Sequence, residues 1–182
     1  MIKVAEMAHQ LLLEKTKEYH FAVDMTAGRG QDTLFLAQHF KEVLAFDIQD
    51  DAIASTKQLL FDYHQSNVVL RQEDHSQFDF RSVPLMDAVI YNLGYLPKGD
   101  KLIRTEAKST ITSLEHLLPY VKPLGTVVLT LYPKENETEA REVLRFCQKL
   151  KSADYDVIKW SVVNKELAPY ILQILKLKKE GS

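Results

Sequence analysis

Residues 23–38 read VDMTAGRGQDTLFLAQ. A short apolar stretch ends in Asp24, runs through Gly28 and Gly30, and continues as an amphipathic segment. Strand, glycine turn and helix in that order are how an open α/β sheet presents a ligand, which sits beyond the carboxyl ends of its parallel strands. Glycines in the turn let backbone approach a ligand where side chains would obstruct it. The dinucleotide fingerprint G-x-G-x-x-G is incomplete: Thr26 occupies the place of its first glycine, and Asp32 and Thr33 follow in place of a third. No Gly-Lys-Ser/Thr follows, which excludes a P-loop. The loop alone leaves two readings open, a ligand cradle or a plain turn.

Flanking periodicities supply the frame. Val4, Met7, Ala8, Leu11 and Leu12 recur at helical spacing and predict a helix over 3–17. Apolar runs predict strands over 20–25, 42–48, 67–71, 86–94 and 126–132, separated by helices over 32–40, 50–63, 104–118 and 136–150. Asp50 is the expected N-cap of the third helix, and the prolines and glycine of PYVKPLG stop the fourth. Two strand-like runs, 155–164 and 169–178, follow with only KELA between them, which favours an antiparallel hairpin. The alternation implies a single domain built on a seven-stranded, mostly parallel sheet with helices on both faces.

The tips of the next strands narrow the ligand. AFDI places Asp47 at the second tip, where a carboxylate can accept both hydroxyls of a ribose, with Ile48 and Gln49 beside it. RQEDHSQF places Asp74 at the third tip, suited to accept from an adenine amino group, with His75 adjacent. Three acceptor-bearing tips point to an adenosine ligand. A carboxylate at Asp24 would repel a pyrophosphate but suits a cationic amino-acid moiety. S-adenosylmethionine (SAM) carries an ammonium and a sulfonium and no phosphate, so SAM is expected over NAD. Its expected contacts on the loop are Asp24, Met25, Thr26, Gly28, Gly30, Asp32 and Thr33. Asp47, Ile48, Gln49, Asp74, His75 and Asn92 complete the expected cofactor set.

The fourth tip, VIYNLGYLPKGDK (89–101), is where a methyl acceptor would lie. It resembles the Asn-Pro-Pro-Tyr loop of methyltransferases that act on exocyclic nitrogen, with Asn92, Leu93, Gly94 and Tyr95 in the four positions and the prolines replaced. That resemblance implies a catalytic loop in which Asn92 and the next backbone carbonyl accept from the amine and Tyr95 stacks on a base. A structural turn is the alternative. Lys98, Lys101, Arg104 and Lys108 line up beyond it, either to hold RNA phosphates together with Tyr95 and Leu96 or as a solvated helix face. Tyr132, at the fifth tip, could stack on a base or pack in the core.

The remaining signals are plainer. Of 182 residues, 46% are hydrophobic and 26% charged, and the net charge of −2 leaves nucleic-acid binding to a local basic face. No apolar run approaches the roughly 20 residues of a membrane span, and the N-terminus lacks the layout of a signal peptide. One cysteine, Cys147, excludes an internal disulfide and a multi-cysteine zinc site, so no metal is expected and a reducing, cytoplasmic setting is. Cys147 reads as a mid-helix core position, and His9, His20, His39, His64 and His116, without ligand spacing, as surface or capping residues. Lys176 and Lys178 share one face of the last strand and suit edge protection.

Taken together, DMTAGRGQDTLFLA, AFDIQ, YNLGYLPKGDK and NKELAPYILQILK resemble a small bacterial rRNA methylase family over nearly the whole chain. Members of that family are identified as tRNA 5-aminomethyl-2-thiouridine methyltransferases. The resemblance implies a class I SAM-dependent methyltransferase (Rossmann-like) fold and SAM as donor. It implies tRNA as partner, with the amine of the wobble nucleoside in the anticodon region as acceptor; an rRNA base or a small-molecule amine is the alternative, and a SAM-binding module without catalysis a further one. A homodimer would widen the RNA surface. Where the family carries a Gly- and His-containing stretch after the tyrosine matching Tyr132, this chain reads PKENETEA, so fifth-loop contacts do not carry over.

Overall fold

The strand tips lie together because five strands run side by side in one direction. The computed structural model describes residues 3–94 and 107–178. Its strands are β1 Phe21–Asp24, β2 Glu42–Asp47, β3 Val68–Gln72, β4 Met86–Leu93, β5 Val121–Leu131, β6 Tyr155–Ser161 and β7 Tyr170–Lys176. They pair in the order β3-β2-β1-β4-β5-β7-β6. β1 to β5 are parallel, and β7 is antiparallel to both β5 and β6. The helices are α1 Val4–Lys15, α2 Gln31–His39, α3 Asp50–Asp62, α4 Ala107–Leu117 and α5 Glu137–Cys147. None in the described residues is long and apolar enough to cross a membrane.

Central strands are apolar on both sides, as a doubly covered sheet demands. Val23, Phe46, Val89, Tyr91, Leu129 and Leu172 face one core with Leu114, Leu117 and Val143 of α4 and α5. Ala22, Val43, Ile90, Val128 and Ile171, one position out of phase, face the other with Leu11 and Leu12 of α1 and Leu34 and Leu36 of α2. The period of two along each strand assigns neighbours to opposite cores. Cys147 is buried as expected, at the last position of α5 rather than in its middle.

Several expected boundaries shift for physical reasons. β5 starts at Val121, inside the expected breaker PYVKPLG. Leu124 takes φ 67° there, and the register slips between Met86 and Ala88, so the breaker is absorbed as a bulge. A Cβ on Gly125 would lie 2.8 Å from Val121 Cγ1, which explains the glycine. Asp50 does not cap α3; Gln49 holds the cap position and Asp50 is already the first helical residue, hydrogen-bonded by Gln72 of β3. The β6–β7 connection spans 162–169 rather than KELA alone. β7 is not an edge strand, so Lys176 protects no edge. Its Nζ instead donates to the carbonyls of Leu118 (3.1 Å) and Pro119 (2.8 Å).

One buried charge locks the base of β1 against β4. Asp87 Oδ2 accepts from the Phe21 backbone N–H at 2.9 Å, while its Oδ1 pairs with Lys122 Nζ at 2.7 Å. Asp87 is only 4% exposed, so removing its carboxylate leaves a buried N–H without its acceptor. Asp87→Ala is expected to lower the denaturant-unfolding free energy by about 2–3 kcal/mol. Lys122→Ala, whose side chain is 28% exposed, should cost less.

Candidate functional site

The glycine turn is held by hydrogen bonds to carbonyls of two neighbouring strands and by one within itself. Met25 N donates to Ile90 O of β4 (2.9 Å), Ala27 N to Phe46 O of β2 (2.8 Å), and Gly30 N back to Ala27 O (2.8 Å). Gly28 and Gly30 take left-handed φ of 54° and 84°. A Cβ on Gly30 would fall 3.0 Å from the Thr56 Cα of α3, so this glycine permits close packing of α2 on α3. Gly28 belongs to the ligand side: its N–H donates to Asp47 Oδ2 at 2.8 Å.

The expected cofactor residues separate by depth. Asp24, Met25 and Thr33 are 0% exposed. Asp24 Oδ1 accepts from Thr26 N (3.0 Å) and Oδ2 from the Thr33 hydroxyl (2.6 Å), so this carboxylate shapes the loop from beneath. Thr26, Gly28, Asp47 and Asp74 are half-buried and Ile48 is exposed, at the rim the three tips form. Asp47 Oδ1 also accepts from Gln49 N at 3.0 Å. An ionised carboxylate offers about four lone-pair sites, so acceptor capacity remains on both Asp47 oxygens for ribose hydroxyls. Asp74 Oδ1 accepts from Ser76 N (2.8 Å) and caps the 3-10 turn His75–Gln77. His75 is 7% exposed, packs edge-on against Tyr91, and has a buried Nδ1 without a hydrogen-bond partner. Burial lowers its pKa and favours the neutral imidazole over the pull of Asp74 and Asp47.

The fourth tip meets the glycine turn directly. Asn92 N donates to Thr26 Oγ1 at 2.8 Å, and Asn92 Nδ2 to Asp32 Oδ2 at 3.2 Å. Asp32 Oδ1 lies 2.7 Å from His9 Nε2 of α1. Leu93 is 2% exposed with its side chain in the core, so only its backbone can serve the site. A Cβ on Gly94 would come within 3.1 Å of Glu135 Oε2 and 3.4 Å of Tyr132 Cδ2, so the bare glycine lets the fifth loop close on the fourth. Tyr132 is half-buried and hydrogen-bonded to Asn92; burial, then the charges of Asp32 and Glu135, push its hydroxyl up to about 12. Tyr95, Leu96, Lys98, Lys101 and Arg104 lie outside the described residues; Lys108, in the first turn of α4, is exposed.

Sequence reasoning passed over His9. It flanks the buried stripe Ala8, Leu11 and Leu12, and its partner Asp32 lies 23 residues away. Nothing in local spacing shows such a pairing. Ser55 and Thr56 of α3, which donate to Gly28 O at 3.4 and 3.3 Å, were equally invisible.

Two carboxylates therefore sit close together under the loop. Burial, then the charge of Asp32, raises the pKa of Asp24 to about 7. The folded chain thus holds more protons than the unfolded one between the ordinary value of 3.8 and about 7. Asp24 makes stability fall as pH rises through that window. Asp24→Asn keeps the hydrogen bonding without the titration, so the stability of wild type relative to this variant should decline from about pH 4 to about pH 7 in denaturant titrations. Parallel pH profiles for the two proteins would contradict it.

The comparisons with known proteins fit this geometry. The family model described as "Putative rRNA methylase" matches residues 43–176. The Arabidopsis thaliana chloroplastic tRNA (mnm5s2U34)-methyltransferase is 32% identical, over 96% of this chain and 69% of the relative. A Clostridium thermocellum structure carrying the same rRNA-methylase description superposes with TM-score 0.91 at 31% identity, covering 97% of this chain and 100% of the other. A Streptococcus mutans protein assigned to the methyltransferases and crystallised with S-adenosylhomocysteine (SAH) gives TM-score 0.89 at 28% identity, covering 97% and 99%.

Proposed function

Because the chain belongs to the rRNA methylase family, we propose that it methylates the primary amine of 5-aminomethyl-2-thiouridine at the wobble position of tRNA. It is an enzyme with the class I methyltransferase fold, and SAM is its cofactor. When bound, SAM supplies a methyl group made electrophilic by the sulfonium it is attached to. The chain's own residues fit that group. Gly28 leaves backbone at the rim, Asp47 and Asp74 present carboxylates at the second and third tips, and the exposed apolar Ile48 suits the flat face of a purine.

The observation that carries the acceptor reading is the place of Asn92. It stands at the tip of β4, tied by its backbone to the glycine turn through Thr26 at 2.8 Å, with its Nδ2 committed to Asp32. Its Oδ1 is the acceptor for an amine N–H, and the Leu93 carbonyl is a second. An aliphatic amine is nucleophilic once neutral. The site therefore has to orient a lone pair and exclude water more than it has to supply a strong base. Tyr132 walls one side, and the buried Tyr91 and Leu93 keep the floor dry. A wobble substrate is supported by the Arabidopsis thaliana relative, whose name specifies that nucleoside.

Two substitutions separate the donor and acceptor sides. Asp47→Ala should weaken SAM binding by about 1.5–3 kcal/mol, roughly ten- to hundredfold in Kd by calorimetry. Asn92→Ala should lose most turnover while SAM Kd stays near wild type; normal turnover would remove Asn92 from the catalytic loop. The substrate itself is tested by mass spectrometry of nucleosides from cells lacking the gene. Accumulation of the unmethylated aminomethyl wobble nucleoside is expected. Unchanged tRNA with a lost rRNA methyl group would move the activity to rRNA.

A further inference from the structure

The geometry points to His9 and Asp32 as a positioning pair that fixes which way the Asn92 side chain faces; this rests on the reading of Asn92 above. A side-chain amide is nearly symmetric in shape, so packing alone does not decide whether Oδ1 or Nδ2 meets a substrate amine. Chemistry does. A carboxylate only accepts hydrogen bonds, so Asp32 Oδ2 at 3.2 Å selects the Nδ2 end of Asn92 and turns Oδ1 the other way. An amide facing the opposite way would present donors to an amine and repel its N–H groups.

Asp32 must itself be held, and α1 does this. His9 Nε2 lies 2.7 Å from Asp32 Oδ1, which makes Nε2 the protonated nitrogen because its partner can only accept. The imidazole is clamped flat on Phe35 of α2, with ring centroids 3.7 Å apart and planes 5° from parallel. α1 is anchored in turn: Gln173 of β7, 0% exposed, donates from Nε2 to Leu11 O at 3.0 Å. The chain of contacts from Gln173 through α1, His9 and Asp32 to Asn92 links β7 to the fourth tip across one face of the sheet.

Helix capping alone does not explain the arrangement. Asp32 lies in the first turn of α2, where a negative side chain suits the helix end, but its two oxygens are directed to His9 and Asn92. It is 8% exposed beside the buried Asp24, whose pKa its charge helps to raise. An exposed carboxylate in the same turn would favour the helix without that repulsion.

A double-mutant cycle on the SAM-bound enzyme tests the pair. His9→Ala should reduce kcat by about tenfold or more while SAM Kd changes less than about twofold, because misplacing a catalytic group costs rate rather than cofactor affinity. His9→Gln, whose amide can still donate to Asp32, should restore most of the loss. In an Asn92→Ala background His9→Ala should have little further effect, since residues acting through one another are not additive. A SAM Kd that weakens in step with kcat, or an undiminished His9→Ala effect without Asn92, would overturn the pairing. A second readout needs no acceptor: in SAH-bound protein labelled with 15N-asparagine, the Asn92 Nδ2 protons should exchange slowly and shift in Asp32→Asn and His9→Ala. Unshifted, fast-exchanging resonances would overturn the proposal. Wild-type enzyme inactive on the tRNA, with the Nδ2 signature intact, would sink the substrate assignment alone.

Discussion

The hydrogen bond from the Asn92 backbone to Thr26 Oγ1, 2.8 Å long, is the joint on which the site depends. It ties the fourth strand tip, where the proposed acceptor would lie, to the first, where the cofactor would lie. Parallel pairing of β1 with β4, in register from Ala22 opposite Ala88 to Asp24 opposite Ile90, delivers the two tips side by side. Met25 N on Ile90 O adds a second tie at 2.9 Å. At the other end of the same strands Asp87 holds Phe21, so the pair is pinned at base and tip. In-line methyl transfer needs donor and acceptor held to fractions of an ångström, and two adjacent strands of a packed sheet meet that demand better than two free loops.

The site is built around carboxylates that the fold accommodates at some cost. Asp24 is buried, shares its surroundings with Asp32, and has its pKa raised by burial and by that neighbour. Hydrogen bonds from Thr26 and Thr33 oppose the shift without cancelling it. Negative potential concentrated under a glycine turn is unfavourable for a nucleotide phosphate and favourable for a cationic cofactor. Functional sites are where such perturbed groups gather. Gly94 and Tyr132 complete the enclosure, with the bare glycine letting the fifth loop press against the fourth.

Much of this was legible in the sequence because it is local. Every strand and helix announced itself by apolar periodicity, and the turn between them by Gly28 and Gly30. The tips carrying Asp47, Asp74 and Asn92 followed from strand ends alone. What escaped was non-local or conformational. The pairing of His9 with Asp32 joins helices 23 residues apart in sequence, and a histidine without ligand spacing reads as surface. The sequence also cannot show Thr56 packed 3.0 Å from where a Gly30 Cβ would be, a second reason for that glycine. The type of Asp24 suits a cation, and only the fold shows the residue fully buried, with Thr26 and Thr33 donating to its oxygens. PYVKPLG stops α4 as its composition indicates, but its residues also carry the bulged start of β5 at Val121, which the breaker pattern hid.

The most direct test is transfer of a labelled methyl group. Purified protein is mixed with methyl-labelled SAM and tRNA bearing 5-aminomethyl-2-thiouridine, and the digested nucleosides are separated. Label on the exocyclic amine nitrogen of the wobble nucleoside is the predicted result. Label on another atom or another RNA, with that amine unmodified, would contradict it.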